Sequence, residues 1–146
     1  MGIKLGMEAK LYRNTGTYAA PIWVELTNVK DLTLNLEAGE ADVTTRGNAG
    51  WRATVATLKD GSIEFEMVWD TTDANFTAIQ DAFFNNTDIE FAVMDGELAS
   101  SGSQGLRATM AITNFSRSEA LEEALMVSVN AKPTYAVNAP EWMTVP

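Results

Sequence analysis

Ser62-Ile63-Glu64-Phe65-Glu66-Met67-Val68-Trp69 carries an apolar side chain at every second position from Ile63 to Trp69, with Ser62, Glu64 and Glu66 between them. Successive side chains of an extended chain point to opposite faces, so this spacing puts Ile63, Phe65, Met67 and Trp69 on a core and the carboxylates toward water. The segment reads as a half-buried β-strand. The same alternation recurs: Leu32, Leu34 and Leu36 against Asp31, Thr33, Asn35 and Glu37, then Ile89, Phe91 and Val93 against Asp88 and Glu90. It continues in Leu106, Ala108, Met110 and Ile112 against Arg107 and Thr109, and in Leu125, Val127 and Val129 against Met126, Ser128 and Asn130. Ala9 to Tyr12 and Trp23 to Leu26 are weaker strand candidates.

Between these runs, Lys59-Asp60-Gly61 has the composition of a hairpin turn joining Trp51–Leu58 to Ser62–Trp69. Longer polar connections are expected at Glu37 to Gly50 and Asp95 to Gly105. From Thr72 to Asn85 the period changes: Phe76, Ile79, Ala82 and Phe83 fall at helical spacing, Thr72 or Asp73 is placed to cap the start, and Asn85-Asn86 to close the end. A shorter helical turn is expected over Ser118 to Ala124. The sum is a mainly β domain, an antiparallel sandwich or barrel of about six to eight strands flanked by one helix. We expect one domain over residues 1–132, followed by an extended, proline-rich arm over 133–146.

Composition narrows the chemistry. The 146 residues include no cysteine and no histidine, which removes thiolate and imidazole nucleophiles, bases and metal ligands. The formal charge of -10 repels a phosphate backbone and argues against tight nucleic-acid binding. No apolar run approaches the roughly 18 residues of a membrane span. The first ten residues lack a signal-like apolar stretch, so cytoplasmic synthesis is expected.

The remaining constellations are weak as chemistry. Asp70, Asp73, Asp81, Asp88, Glu90, Asp95 and Glu97 form an acidic succession with no calcium-loop spacing, which reads as solvated surface. Glu64 and Glu66 share a strand face without a third catalytic element, so no catalytic residue, metal site or cofactor is assigned. Trp23, Trp51, Trp69 and Trp142 could form a sugar platform, which keeps a carbohydrate-binding sandwich as a distant alternative. Trp69 is better explained by core packing and Trp142, in the arm, by docking on a neighbour.

One stretch is more specific: Trp23-Val24-Glu25-Leu26-Thr27-Asn28-Val29-Lys30-Asp31-Leu32-Thr33-Leu34, then Ala41-Asp42-Val43-Thr44-Thr45-Arg46-Gly47-Asn48-Ala49-Gly50-Trp51-Arg52 and Leu58-Lys59-Asp60-Gly61. It resembles the major tail tube proteins of long-tailed bacteriophages, over about Trp23 to Val129. The resemblance implies a β-sandwich with a flanking helix, assembled in sixfold rings whose inner sheets join into a barrel, with no enzymatic activity and no cofactor. It implies a virion tail as the location. The expected partners are other copies of the chain and neighbouring tail proteins such as tape measure, terminator or sheath, while DNA passes without specific binding. Tube proteins of type VI secretion or contractile injection systems share this architecture and form the nearer alternative. On this reading Glu64, Glu66, Asp88 and Glu90 are candidates for the lumen, and Asp42, Val43, Thr44 and Arg46 for an assembly loop.

Overall fold

The computed structural model describes residues 3, 5–119, 121, 124–134 and 136–146. It contains β1 (Lys10–Asn14), β2 (Trp23–Glu25), β3 (Val29–Asp42), β4 (Thr54–Val68), α1 (Ala74–Asn85), β5 (Asp88–Met94), β6 (Gln104–Ser118), β7 (Met126–Pro133) and β8 (Glu141–Thr144). The strands form one sheet in the order β2-β1-β5-β6-β7-β4-β3, with β8 added to β6, and every pairing is antiparallel.

The sheet curls back on itself. Phe65 on β4 and Phe91 on β5 meet edge to face, with ring centroids 6.2 Å apart, although two strands separate β4 from β5 in the sheet order. The alternating apolar residues of β4, β5, β6 and β7 therefore face inward on one another, and Ile63, Phe65, Met67, Phe91, Met110, Val127 and Val129 are all buried. α1 closes the open side. Its Phe76 packs against Trp69 at 4.8 Å and Phe115 at 6.0 Å, and Ile79 and Ala82 complete the same buried stripe. Asp73 caps the helix by accepting from the Asn75 N–H, and Asn86 ends it in the left-handed conformation, both as the sequence leads one to expect. Buried Asn75 ties the helix to the first hairpin, accepting from Arg13 Nε at 3.0 Å and donating to the Glu25 carbonyl at 3.3 Å.

The turn expected at Lys59-Asp60-Gly61 is not one. β4 runs through it unbroken, with Asp60 opposite Glu37 and Gly61 opposite Leu36. The 14 residues of β3 provide a continuous partner that overrides the local turn composition. Gly61 is there for close approach: a Cβ would meet Leu36 Cδ2 at 3.0 Å and the Asn35 carbonyl at 3.4 Å. Glu37 to Asp42 likewise continues β3 and is not loop. The real reversal lies at residues 43–53, where Thr45 caps a short turn over Arg46–Asn48 and Ala49 and Gly50 take positive φ of 52° and 86°. β7 pairs β4 only from Ile63 onward. The outer parts of β3 and β4 thus project as a two-stranded ribbon, exposed along nearly its whole length.

Of the helical turn expected over Ser118 to Ala124, residues 120, 122 and 123 lie outside the described residues, and Ser118 itself ends β6. In the segment expected as an arm, Glu141–Thr144 forms β8 along Gln104–Arg107 of β6. A second small apolar cluster forms there on the opposite sheet face, where Leu98, Met143 and Val145 pack on Tyr12, Ala92 and Met94.

Candidate functional site: a polar wall between two open edges

The registers of β3, β4, β7 and β6 line up residue by residue. Asp31 lies opposite Glu66, Glu66 opposite Ser128, and Ser128 opposite Ser116. One row along, Thr33, Glu64, Asn130 and Asn114 form a second such file. The inward face of the same strands carries the apolar file Leu32, Phe65, Val129 and Phe115. Strict alternation across four strands thus yields a wall that is carboxylate, hydroxyl and amide on one face and core on the other. A register shift between Ile112 and Asn114 keeps β6 in phase, because the extra residue of a bulge returns Asn114 and Ser116 to the polar side.

Of the four carboxylates named as candidates for the lumen, the wall holds Glu64 and Glu66. Asp88 and Glu90 lie further along the same sheet face, on β5. Asp88 is exposed and belongs to a row with Ala111 and Lys132. Glu90 is not free: its Oε1 accepts from Arg107 Nε at 2.8 Å, the two side chains being 11% and 10% exposed. The segment between β1 and β2 roofs this pair. Arg107 Nη2 donates to the Tyr18 carbonyl at 2.7 Å, and the guanidinium sits 3.7 Å from the Tyr18 ring centroid and 5.2 Å from that of Trp23. Tyr18 in turn donates to Glu141 on β8 at 2.8 Å, a hydrogen bond that holds its phenol above the ordinary value. Asp31, the wall's third acid, was not singled out from sequence; only the register reveals it as a neighbour of Glu66.

Asp42, Val43, Thr44 and Arg46 come together at the far end of the ribbon. The Thr44 N–H donates to Asp42 Oδ1 at 2.9 Å, and hydrogen bonding from Thr44, its side chain first and its backbone second, holds the Asp42 carboxyl below the ordinary carboxylate value. Thr44 Oγ1 accepts from the Ala53 N–H at 2.8 Å and closes the turn. Val43 and Trp51 are 47% and 79% exposed, and Val55 and Leu58 continue the apolar exposure at 51% and 86%. Trp142 is 57% exposed, its Nε1 donating to Gln104 at 3.1 Å.

The wall has two edges without a strand partner among the described residues. One is the outer side of β3. The other is β6 beyond Ala111, whose partner Asp88 is the first residue of β5. Strands β3, β4, β7 and β6 alternate in direction, so β3 and β6 run opposite ways, and a second wall set beside the first would continue the antiparallel order. Among the described residues no three acidic side chains converge as a metal site, and no helix is long and apolar enough to cross a membrane. The four tryptophans share no face: Trp69 is in the core, Trp23 beside Arg107, Trp51 on the ribbon tip and Trp142 on β8.

No curated protein matches the sequence. Among solved structures, a chain from the virion of a native gene transfer agent particle is similar over 97% of this chain and 100% of its own, at 14% identity and a TM-score of 0.74. The SPP1 tail tube is similar over 89% and 75%, at 17% identity and 0.70. A chain of the anti-feeding prophage baseplate covers 94% and 91%, at 10% identity and 0.57. These likenesses concern the fold. Residues 9–137 match the phage tail tube protein family, and with that match spanning the wall, the ribbon and the helix, the chain belongs to that family.

Proposed function

We propose that the protein is the structural subunit of a tail tube, assembling as hexameric rings that stack into a hollow conduit for DNA leaving a phage or phage-like particle. The observation that carries this reading is the wall, polar on one face, apolar on the other, and open at two edges of opposite direction. Copies joined edge to edge satisfy both free ladders, remove the aggregation hazard of a long bare strand and make a head-to-tail interface that closes as a ring. A similar tail was solved with C6 symmetry, which supports six copies.

Surface area supports the same reading. The chain exposes 9540 Å², against roughly 7,300 Å² for an ordinary monomer of its mass. The ribbon is exposed along nearly its whole length, and a two-stranded hairpin with exposed Leu36, Val55 and Leu58 has too little cover to stand alone in water. We assign the ribbon end, with Asp42, Val43, Thr44 and Arg46, to contacts between subunits, and Trp142 to a neighbour's surface.

With Asp31, Glu64 and Glu66 facing the lumen, the conduit repels phosphates and leaves DNA nothing to grip. The subunit then does its work without catalysis or cofactor, in the tail of a virion, after synthesis in the host cytoplasm. Its partners are its own copies and the neighbouring tail proteins: tape measure, terminator or sheath. An injection-system tube is the second reading, favoured by the likeness to the anti-feeding prophage chain. Electron microscopy with light scattering tests the proposal: rings or tubes are expected, and a monomer at high concentration without filaments would overturn it.

A further inference from the structure

Residues 15–22, between β1 and β2, cross a sheet face as a strap without burying a side chain; Ile22, the largest aliphatic among them, is 61% exposed. The two ends of the strap are tied to each other. The Thr15 N–H donates to the Ile22 carbonyl at 2.8 Å, and Asn14 Oδ1 accepts from the N–H groups of Gly16 and Ile22 at 2.8 and 2.9 Å. Among the described residues, the hydrogen bonds from the strap to strands other than β1 all run through Tyr18: its carbonyl accepts from Arg107 and its hydroxyl donates to Glu141.

β8 is held as lightly. Its four residues lie along Gln104–Arg107, with Glu141 opposite Arg107, so the Glu141 side chain stands on the face that the strap crosses. There Glu141 Oε1 accepts from Tyr18 and lies 4.0 Å from Arg107 Nη1. Met143 and Val145 follow in the apolar cluster of Tyr12, Ala92 and Met94, which also takes in Trp23, just past the strap. Val145 is fixed by two backbone bonds of 2.8 Å, its N–H to the Ser103 carbonyl and its carbonyl from the Gly102 N–H.

Tyr18 and Glu141 are 123 residues apart in the chain, yet their elements meet twice, at a polar node on Arg107 and at an apolar contact around Trp23. That small cluster shares no residue with the main core. A four-residue edge strand and a strap with no buried side chain belong to the low-stability end of a native structure, where local opening occurs.

We propose that the strap of residues 15–22 and β8 form one latch, which opens and closes as a unit over a core that stays packed, with Arg107 as its catch. Opening bares the Gln104–Arg107 edge of β6, the Glu90–Arg107 pair and the apolar side chains of Tyr12, Ala92 and Met94. The subunit thereby has two states that differ on one sheet face only. The latch goes beyond the tube reading, because it belongs to the unassembled chain.

Amide exchange on the unassembled subunit reads the two halves separately, at the Ile22 N–H for the strap and at the Val145 N–H for the C-terminal strand. Tyr18→Phe removes the hydroxyl that Glu141 accepts from, and Glu141→Ala removes the acceptor. Coupling between two sites is reciprocal. Tyr18→Phe should therefore speed exchange at Val145, and Glu141→Ala at Ile22, each at least about threefold, the scale of one hydrogen bond, with core amides of β7 unchanged. The double variant should be no looser at either amide than the looser single variant, since both remove the same contact. A substitution that speeds exchange only within its own element would show two independent parts and overturn the proposal. Equal acceleration in β7 would show loosening of the whole subunit and overturn it as well.

Discussion

Glu90 and Arg107 pair diagonally across β5 and β6, Glu90 standing in register with Thr109 and Arg107 with Ala92, while their side chains meet at 2.8 Å with little solvent access. Removing one partner of such a pair strands the other charge. Arg107→Ala is expected to cost about 3 kcal/mol, lowering Tm of the unassembled subunit by roughly 10 °C. Replacing both, as Glu90→Leu with Arg107→Met, should cost much less than the single change. Calorimetry showing the double variant to be the worse would contradict this account.

The lumen assignment gives an electrostatic test. Asp31→Lys, Glu64→Lys and Glu66→Lys together turn each subunit's wall from repelling to attracting phosphates, and every phosphate neutralised steepens the salt dependence of DNA binding. Assembled tubes of this variant should hold double-stranded DNA at low salt and release it as salt rises. Release as free as from the parent tube would remove these three residues from the lumen.

Shortening the ribbon separates folding from assembly. Deleting residues 40–56 and closing Gly39 to Thr57 with a two-residue turn removes only elements outside the core. The subunit should keep its unfolding free energy within about 1 kcal/mol, as expected for trimming exposed structure, and fail to form tubes. Normal tubes from this variant would show that the ribbon does not join subunits.

Two glycines of the sheet should respond differently to alanine. A Cβ at Gly105 would collide with the Val93 carbonyl, a backbone atom fixed in the β5–β6 ladder, whereas a Cβ at Gly61 meets first the movable end of Leu36. Gly105→Ala is expected to cost more than about 2 kcal/mol and Gly61→Ala appreciably less. Urea titrations that rank them the other way would refute the packing argument.

Acid should loosen the ribbon end first. Asp42 has a depressed pKa in the folded chain, so its contribution is in full force above the ordinary carboxylate pKa and is lost as pH falls through the lowered folded value. Amide exchange of the Thr44 N–H should therefore quicken at acid pH, relative to core amides of β7, in the parent. In Asp42→Asn the relative rates should lose this pH dependence.

Much of the fold was legible because alternation is a local signal. β4, β5, β6 and β7 follow from residues two apart, and α1 from Phe76, Ile79 and Ala82 with Asp73 and Asn86 at its ends. The ribbon was not legible: both faces of Glu37–Asp42 meet solvent, so no period marks it as strand, and Lys59-Asp60-Gly61 has turn composition that only a partner strand of full length contradicts. β8 has four residues and owes its conformation to the free edge of Gln104–Arg107. At the wall, residue types at Glu64 and Glu66 were readable, whereas the neighbourhood of Asp31 required register. Glu90 sits on the polar side of its strand as alternation demands; the roof of residues 15–22 that buries it comes from a distant part of the chain.

β6 changes neighbours partway along one side: β8 flanks Gln104–Arg107, and β7 takes over from Met110. Its 15 residues, about 50 Å of extended chain, make it a beam shared by the polar wall and the outer half that carries the roofed ion pair. A load applied to the wall, whether outward pressure or bending along the axis, passes to the outer half through covalent backbone before any side-chain contact has to bear it. The outer half braces the wall much as a flange stiffens a web.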